Sequence, residues 1–339
     1  MSVTIRDVSK KCGLSISAVS KALNNYSDVS EETRRRVLQA AEELGYYPNA
    51  VARGLKTNRT YNIGVILDDE MGDYLLHSYF VVMLNGFKRE AERLGYAITL
   101  VNRNIGTRRY TFLDHCKYRN LDGVCVLCAD FYDPEIGDLV RSGLPAVTID
   151  HLFSGKDCVL SDNKKGMRDI LHHVLAMGHR RIAYIYGTPA SVTDARLAAF
   201  YEVAHENDLE LPDSYLVQSH YHSTSYAFEA TQRLLELEPR PTCILMTDDY
   251  SALGGMEAIA QAGLRIPEDI SIAGYDGIYM LQKLRPRLTT LRQDAEAIGI
   301  RAAARLIQRI EDPAAPVGYP DIVPGALVEG ETVVKIKEQ

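Results

Sequence analysis

The sequence predicts an N-terminal, all-α head followed by a larger α/β core with parallel sheets in two lobes. Three observations support this prediction. The first 47 residues contain three short segments whose apolar side chains recur with helical spacing. From residue 61 onward, continuous apolar runs alternate with amphipathic segments, which is typical of parallel strands covered by helices on both faces. The chain has 339 residues, which is more than one hydrophobic core usually holds.

Each of the three helices predicted in the head follows a residue that can cap a helix N-terminus. The expected caps are Thr4, Ser15 and Ser30. The first helix, over residues 5–12, can end at Gly13, and the third, over residues 31–44, can end at Gly45, because glycine readily adopts the left-handed conformation that closes a helix. The apolar stripe of the third helix is expected to consist of Val37, Leu38, Ala41 and Leu44.

The second helix lies within residues 14–25, LSISAVSKALNN, and its outer face has short polar side chains, one cation and no acid. This face consists of Ser17, Ser20, Lys21 and Asn24. Two short helices joined by a turn with a glycine form a helix-turn-helix, whose second helix enters the DNA major groove. The side chains on this face can donate to phosphates and base edges. We therefore expect the head to bind double-stranded DNA; a three-helix bundle with a solvated polar face is the alternative.

The distribution of charge supports the same hypothesis. The whole chain has a net charge of −7, which alone argues against a nucleic-acid partner. Residues 1–60, however, have ten basic and six acidic residues, so the head has a net charge of +4 and the remainder −11. A basic head on an acidic body indicates a nucleic-acid-binding module joined to a domain with another task.

A short hinge helix is predicted between the head and the core, in residues 49–60. Asn49 can cap it, but two helical turns containing a glycine are marginal in water, so we expect this helix to fold only against a partner. Leu55, between Arg53 and Lys56, suits an apolar wedge for a minor groove with cations for the phosphates. A plain linker with one leucine is the alternative.

The predicted strands of the core end in acidic and amide side chains. Seven strand-like runs lie at 62–69, 97–103, 123–130, 145–150, 181–187, 242–249 and 270–277. Ligands of doubly wound folds bind beyond the carboxyl ends of the strands. The side chains expected there are Asp68, Asp69, Asn102, Arg103, Asp130, Asp150, Thr247, Asp248, Asp249, Tyr275 and Asp276, with Tyr79 and Phe80 as further aromatic candidates.

Many acceptors and few cations favour a ligand rich in hydroxyl or amino donors, such as a sugar. Carboxylates accept bonds from adjacent hydroxyls, and an aromatic ring can cover the apolar face of a sugar. For each single acid, a helix cap just past its strand is an equally good interpretation. No glycine-rich phosphate-binding motif follows a strand, so the sequence predicts neither a dinucleotide nor a nucleoside triphosphate, and we expect no cofactor.

Other features of the sequence predict a cytoplasmic protein and do not predict a metal site. The first residues lack the apolar run of a signal peptide, and no 18-residue apolar stretch follows, so no membrane partner is expected. The six cysteines are scattered, and the CVLC run at 125–128 has no second pair, which favours buried thiols in a reducing compartment. His220 and His222 do not by themselves predict a metal site.

The head closely resembles the LacI/GalR family of bacterial transcriptional regulators. The likeness rests on TIRDVSKKCGLSISAVSKALNN and VSEETRRRVLQAAEELGYYPNAVARGLKT, and it extends over essentially the whole chain. It implies a core like that of periplasmic binding proteins. It also implies that Ile16, Ser17 and Lys21 read bases and that Leu55 is the hinge wedge. The full set of expected DNA contacts is Thr4, Ser15, Ile16, Ser17, Ser20, Lys21, Asn24, Asn49, Arg53, Leu55 and Lys56.

Two departures from the family pattern lie in the recognition helix. Lys21 stands where arginine is usual, and Ala18 where threonine is usual. Lysine is a point charge rather than a bidentate fork, so its contact with a guanine is expected to discriminate less. Ala18 lacks a hydroxyl that would contact a phosphate.

The resemblance also assigns effector-binding residues in the core. SVTDARLAAF implies an effector contact from Arg196, and AGYDG implies one from Asp276; Asp150 also matches a site position. Asp248 stands where asparagine is usual, which removes an NH2 donor and adds a charge. After the first strand, DEMGDYLLHSYF is about five residues longer than in relatives, and His77, Tyr79 and Phe80 are its best match to the family pattern Asn-Pro-Phe-Phe.

The resemblance further implies the domain limits. We expect a DNA-binding domain at 1–48, a hinge at 49–60 and an effector-binding core at 61–339. Lobe 1 is expected at about 61–162 and 291–322, and lobe 2 at about 163–290 and 323–339. The final VVKIKEQ has no leucine heptads, so a homodimer on a pseudo-palindromic operator is expected rather than a tetramer.

The favoured function is therefore a sequence-specific transcriptional regulator whose operator affinity depends on a small polar effector, most consistent with a sugar. The same regulator with a purine or another non-sugar effector is the main alternative. An α/β enzyme acting on sugars would need a nucleophile, a metal cluster or a paired acid and base, and the sequence shows none of these patterns. A solute receptor for import is disfavoured by the DNA-binding head.

Overall fold

A computed structural model describes residues 3–24, 26–47, 59–68 and 74–336. The chain divides into two compact units, Met1–Tyr61 and Asn62–Gln339. Among the described residues, no helix combines the length and apolar character needed to cross a bilayer. The predicted hinge helix and Asp69 lie outside the described residues, so the expectations for the following side chains stay predictions: Asn49, Arg53, Leu55, Lys56 and Asp69.

The head consists of the three predicted helices. They are α1 (Ile5–Cys12), α2 (Ile16–Leu23) and α3 (Glu31–Leu44). The hydroxyl of Ser15 accepts the Ala18 N–H at 3.1 Å, so the predicted cap of α2 is present. Gly13 and Gly45 have φ angles of 61° and 64°, which close α1 and α3 in the left-handed conformation that glycine adopts readily.

A small apolar cluster holds the three head helices together. Each helix contributes one side chain with no exposure: Val8, Val19 and Val37. The prediction for α3 was wrong at Leu38, which is 50% exposed, while Ala40 is buried in its place. Three buried side chains of this 14-residue helix suffice to cover a bundle this small. The buried stripe of α3 is therefore narrower than the apolar stripe that the sequence predicted.

The core contains two six-stranded sheets, one in each lobe. The sheet of lobe 1 is parallel throughout and has the order β13-β7-β6-β5-β1-β2. Its strands are β1 (Asn62–Leu67), β2 (Ala97–Leu100), β5 (Gly123–Cys128), β6 (Ala146–Ile149), β7 (Asp157–Ser161) and β13 (Asp321–Val323). A two-stranded hairpin, β3 (Asn104–Ile105) and β4 (Arg108–Arg109), follows β2. The lobe 1 helices are α4 (Ser78–Arg93), α5 (Phe112–Tyr118), α6 (Pro134–Arg141) and α11 (Ala295–Glu311).

The sheet of lobe 2 has the order β14-β12-β11-β10-β8-β9, with only β14 antiparallel to its neighbour. Its strands are β8 (Ile182–Tyr186), β9 (Leu216–Gln218), β10 (Cys243–Leu245), β11 (Ser271–Asp276), β12 (Thr289–Arg292) and β14 (Ala326–Val328). Its helices are α7 (Asn163–Ala176), α8 (Ser191–Glu206), α9 (Thr224–Leu235) and α10 (Asp249–Gln261). Short 3₁₀ turns lie at Tyr74–Leu76, Asp213–Tyr215 and Tyr279–Gln282.

Helices cover both faces of the lobe 2 sheet, as the continuous apolar strands predicted. Alternate side chains of β10 show this arrangement. Cys243 and Leu245 pack with α7 and α8, whereas Ile244 packs with α9 and α10. Because neither face meets water, both sets of side chains are apolar, and the strand reads as an unbroken run.

The chain crosses between the lobes three times. It passes from β7 to α7, from β12 to α11, and from β13 to β14. Strand β12 of lobe 2 continues to Arg292, two residues past the crossover expected near 290. Three crossings place the carboxyl ends of both parallel sheets at the junction of the lobes, where a ligand of this fold class would bind.

Helices α4 and α11 pack closely because each has a glycine at the contact. A Cβ added at Gly86 would lie 2.4 Å from the carbonyl oxygen of Glu296. A Cβ added at Gly299 would lie 2.0 Å from the carbonyl oxygen of Met83. Both obstacles are backbone atoms, which cannot rotate away, so the approach of the two helices requires glycine.

We predict that Gly299→Ala lowers the free energy of unfolding by about 1–3 kcal/mol, because the helices must separate to admit the methyl group. The gain in helix propensity of up to about 1 kcal/mol does not offset this cost. Urea denaturation of the full chain provides the measurement. Gly143→Ala is the control, because a Cβ there meets nothing within 4 Å. Equal stability of the two variants would contradict the close approach.

Candidate functional site

The recognition helix α2 presents the side chains that the sequence analysis assigned to DNA. Ile16 is 45% exposed at its first turn, Ser17 is exposed, and Ser20 is partly exposed. The Asn24 amide donates to the carbonyl oxygen of Ser20 at 2.7 Å at the end of the helix. An exposed isoleucine beside serines is suited to contact with thymine methyl groups and phosphates.

Two of the expected DNA contacts also have structural tasks. Thr4 precedes α1, and its backbone N–H and its hydroxyl both donate to the carboxylate of Asp7, at 2.9 and 2.7 Å. These bonds lower the pKa of Asp7. Ser15 caps α2, so its hydroxyl oxygen already accepts one bond while its hydrogen is available to a phosphate.

Lys21 forms an ion pair with Asp28 on the surface of the head. The hydrogen bond with Asp28 raises the pKa of Lys21. Both side chains are largely exposed, and an exposed pair of this kind contributes little to stability. The ammonium group can therefore leave Asp28 for a DNA acceptor at small cost.

Arg196, on α8, is the buried cation of the core. Its Nε donates to Asn163 Oδ1 at 2.7 Å, and its Nη1 donates to the Thr247 carbonyl oxygen at 3.1 Å. Its guanidinium carbon lies 3.5 Å from the centroid of the Tyr275 ring, within cation–π range. Contacts on three sides fix the orientation of the guanidinium plane.

Asp248 is buried at the N-terminus of α10. It accepts the Ser251 N–H at 2.8 Å, the Ser251 hydroxyl at 3.0 Å and the His222 N–H at 2.8 Å. The helix-cap interpretation is therefore correct for this residue. Its second oxygen also lies 3.6 Å from Nδ1 of His222, so the carboxylate faces the ligand side as well as the helix.

Asp276, at the end of β11, is buried with one oxygen bonded and one not. Gln293 Nε2 donates to Oδ1 at 2.7 Å, whereas Oδ2 has no hydrogen-bond partner. Burial raises the pKa of Asp276 well above its usual range, and the negative charge of Asp248 adds to the shift. The backbone φ of Asp276 is 113°, an unusual value for a residue with a side chain, which is typical of functional positions.

Asp249 is adjacent to Asp248 in the chain but has a different environment. It accepts bonds from the Thr290 hydroxyl and the Ile278 N–H, both at 2.6 Å. Burial raises its pKa to about 7. Because both oxygens are bonded and the side chain has no exposure, Asp249 stabilises the lobe 2 sheet and cannot reach a ligand.

Lobe 1 contributes Asp150 and the aromatic pair to the same site. Asp150 follows β6 with a φ of 56°, and it accepts the N–H and hydroxyl of Ser161 at 2.6 and 3.0 Å. Burial raises the pKa of Tyr79 well above its usual range, and the charges of Asp150 and Asp276 add to the shift. Phe80 is buried, 5.3 Å from Tyr79 between ring centroids.

The structure thus brings together most of the predicted effector residues. Those that lie together are Tyr79, Phe80, Asp150, Arg196, Asp248, Tyr275 and Asp276. Asn102 is exposed beyond β2, and its backbone groups bond to His115. Nothing in the described structure connects the Asn102 side chain with the cluster.

Two histidines that were not among the predicted effector residues also lie in this cluster. His77 is buried before α4, and its ring centroid is 4.2 Å from that of His222 and 4.4 Å from that of Tyr250. The Tyr250 hydroxyl also donates to the Leu76 carbonyl oxygen at 2.9 Å. Lobe 1 therefore inserts His77 among lobe 2 side chains. The sequence signals for His77 were the unusual length of the segment before it and its match to the family pattern Asn-Pro-Phe-Phe.

The arrangement can bind a small polar molecule, but it lacks the geometry of an acid–base pair. The carboxylates of Asp248 and Asp249 point to different partners, and each accepts structural bonds. Arg196 is held by protein acceptors and an aromatic face. The site thus offers fixed charges, aromatic faces and one unbonded carboxylate oxygen for recognition.

Comparisons with known proteins agree with both parts of this description. Residues 4–49 match the family model of bacterial regulatory proteins, lacI family, and residues 171–333 match that of a periplasmic binding protein-like domain. The HTH-type transcriptional repressor PurR of Mannheimia succiniciproducens is 32% identical over 313 residues, covering 91% of this chain and 92% of that protein. PurR of Escherichia coli O139:H28 is 32% identical over 314 residues, covering 91% and 90%.

A solved structure has the same overall fold. The lac repressor dimer bound to operator and the anti-inducer ONPF matches with a TM-score of 0.82 and 27% sequence identity. The match covers 98% of this chain and 100% of that chain. The predicted architecture, a helix-turn-helix head and a two-lobed core like that of periplasmic binding proteins, is therefore confirmed.

We predict that Arg196→Lys lowers the free energy of unfolding by roughly 1.5–3 kcal/mol, because an ammonium group cannot replace both bonds of the planar guanidinium. Asn163 and the Thr247 carbonyl would be left partly unsatisfied in the interior. Chemical denaturation provides the measurement. Arg265→Lys, an exposed exchange beside Asp269, serves as the control and should change stability by less than about 0.5 kcal/mol. If both variants lose the same amount, Arg196 does not organise the site.

Proposed function

Because this chain belongs to the lacI family of bacterial regulatory proteins, we propose that it is a dimeric repressor whose affinity for a pseudo-palindromic operator is controlled by a sugar. Membership of the family makes it a DNA-binding transcriptional regulator under effector control, and not an enzyme. The observation that best supports a bound effector is the buried Arg196, held by Asn163, the Thr247 carbonyl oxygen and the Tyr275 ring, whose positive charge acts on the buried carboxyls of Asp150 and Asp276. Acting on DNA, the regulator would work in the cytoplasm.

The proposed DNA interface is the outer face of α2. Its exposed isoleucine and serines, with Lys21 at the next turn, would enter a major groove, while the hydroxyls of Thr4 and Ser15 would bond to phosphates. Lys21 would donate to a guanine or to another base acceptor after leaving Asp28. Asn49, Arg53, Leu55 and Lys56 are proposed to contact a minor groove, as in the sequence analysis.

We predict that Lys21→Ala weakens binding to the specific operator by about 1–3 kcal/mol while affecting random DNA less, because a base contact is lost along with a charge. Fluorescence anisotropy with both DNAs at two salt concentrations gives the two affinities. Lys88→Ala, an exposed lysine of the core paired with Glu92, is the matched control and should leave both affinities unchanged. Equal losses on operator and random DNA would leave Lys21 with a phosphate contact only.

The proposed effector is a polyhydroxylated molecule. Asp150 and Asp276 can accept hydrogen bonds from hydroxyl groups, and Arg196 provides a positive charge in the site. Tyr79 and Phe80 provide aromatic surface for the apolar face of a sugar ring. Bonds from hydroxyls to a carboxylate are charge-assisted and stronger than neutral ones. A polyanion would meet the repulsion of several buried carboxylates and is disfavoured.

A purine is the second candidate effector. It is supported by Asp248, whose carboxylate stands where the family has asparagine and could accept bonds from an exocyclic amine or a ring N–H. The clustered rings of His77, Phe80 and Tyr250 could pack against a flat base. The sugar is favoured because Asp248 is occupied by its helix-cap bonds, whereas Asp276 keeps one carboxylate oxygen without a hydrogen-bond partner.

The proposed control of DNA binding follows from the position of the site. His77, Tyr79 and Asp150 belong to lobe 1, whereas Arg196 and Asp276 belong to lobe 2. A ligand held by both lobes would favour one arrangement of them over another, and a dimer would transmit that preference to its two heads. Couplings of this kind usually change affinity by about 1–3 kcal/mol.

Exposed apolar side chains support the proposed homodimer. Leu75, Leu76, Val81 and Val82 are 43–72% exposed and lie together in the chain at the start of α4. In lobe 2, Tyr279, Met280 and Leu284 are 50–70% exposed. Concentrated apolar exposure of this kind is typical of an interface with a partner.

We predict that a neutral sugar raises the melting temperature of the purified protein saturably, because binding to the folded state stabilises it. A thermal-shift screen of sugars, polyols and nucleosides gives the measurement. Asp150→Asn should reduce the shift strongly, since it removes a charged acceptor. Asp130→Asn is the matched control, because Asp130 also ends a strand of lobe 1 but is exposed and outside the cluster. A shift with purine nucleosides alone would replace the sugar with the purine.

A further inference from the structure

We infer that the junction of the lobes binds a divalent transition-metal ion through His77, His222 and Asp248, with Asp276 as a fourth ligand. One ligand atom from each of the first three residues lies within 4.8 Å of the others. His77 Nε2 lies 3.9 Å from Asp276 Oδ2, and His222 Nδ1 lies 3.6 Å from Asp248 Oδ2. A metal ion is a different class of ligand from the sugar; it would share Asp276 with the proposed effector site, but the argument for it does not depend on the effector being a sugar.

Two of the four groups have buried polar atoms without a partner in the described structure. His77 is 3% exposed and Asp276 is 7% exposed. Neither His77 Nε2 nor Asp276 Oδ2 makes a hydrogen bond, and they face each other across a gap too long for one. Buried polar atoms are nearly always satisfied, so two that converge indicate a bound species between them.

The two buried carboxyl groups of the cluster favour a cation as the bound species. Asp248 and Asp276 are buried close enough to influence each other, while Arg196 is held by Asn163, Thr247 and Tyr275. Among the described residues, Arg196 is also the only lysine or arginine that is buried. A divalent ion would neutralise two carboxylates at once, and it would replace their repulsion with attraction to a common centre.

The mixture of ligands selects the class of metal. Two imidazoles and two carboxylates suit zinc, cobalt, nickel, manganese or iron, whereas magnesium and calcium prefer sites made of oxygen alone. Bonds from such a metal to nitrogen or oxygen are about 2.0–2.2 Å, so ligand atoms around it lie about 3–3.5 Å apart. The ion would therefore draw His77, His222 and Asp248 closer than they lie now.

Binding has one local cost at His77. Its Nδ1 now accepts the Tyr79 N–H at 3.3 Å, so the proton of the neutral imidazole is on Nε2. Coordination through Nε2 moves that proton to Nδ1, and the long bond from Tyr79 is given up. His222 is 22% exposed at its side chain, which provides a route for the ion from solvent.

The test uses full-length protein without a polyhistidine tag, stripped with a chelator and dialysed. Titration with Co²⁺ should give visible d–d absorption that saturates at one ion per protomer, and Zn²⁺ should displace the cobalt. His77→Ala and His222→Ala should each weaken Zn²⁺ binding by at least about tenfold in calorimetry. His220→Ala is the matched control, because its ring packs on Tyr226 outside the cluster, and it should bind Zn²⁺ as the unmodified protein does.

Two results would overturn the inference: no saturable uptake at one ion per protomer, or undiminished binding by both histidine variants. If His77→Ala does not fold, His77→Gln keeps a polar side chain at the start of α4 and serves in its place, with circular dichroism as the check on folding. Operator binding and the sugar response of the metal-free protein are measured in parallel. If metal binding fails while operator binding and the sugar response are intact, the metal site alone is rejected. If operator binding and the sugar response are both lost, the proposed function is rejected.

Discussion

The core of this protein has to accommodate more buried carboxyl groups than buried basic groups at one place. Asp248, Asp249 and Asp276 are buried, whereas Arg196 is the one buried lysine or arginine in the described part of the chain. Since an unpaired buried charge is costly, each carboxylate needs donors, and the structure supplies them from serine and threonine hydroxyls, backbone N–H groups and one glutamine. The elements at the strand ends are arranged around this requirement.

The need to satisfy these buried groups also connects the chemistry of the site with regulation. The carboxylates and the guanidinium belong mostly to lobe 2, whereas lobe 1 adds Asp150, Tyr79 and His77. A molecule that satisfies groups of both lobes changes the energy of one lobe arrangement relative to another, which is the physical condition for allosteric control. The incomplete satisfaction of His77 and Asp276 leaves room for such a molecule or for an ion.

The head follows a different principle, because its interactions are local. Three valines without exposure and the two glycine caps define the bundle, and these features are set by spacing along 40 or so residues. The outer face of α2 makes few contacts with the rest of the head. The side chains on this face are therefore suited to contact DNA. The Lys21–Asp28 ion pair is weak, so Lys21 can exchange it for the contact with DNA that is expected there.

The sequence by itself determined the three head helices, their caps, the seven strands it predicted and the acidic character of the strand ends. These depend on local spacing and on the rule that parallel strands end at one edge. It did not predict the short strands β3, β4, β7, β9, β12, β13 and β14, the exposure of Leu38, or the contact of His77 with His222. Tertiary structure alone decided these, because they depend on which distant segments the two lobes bring into contact, and local spacing contains no information about that.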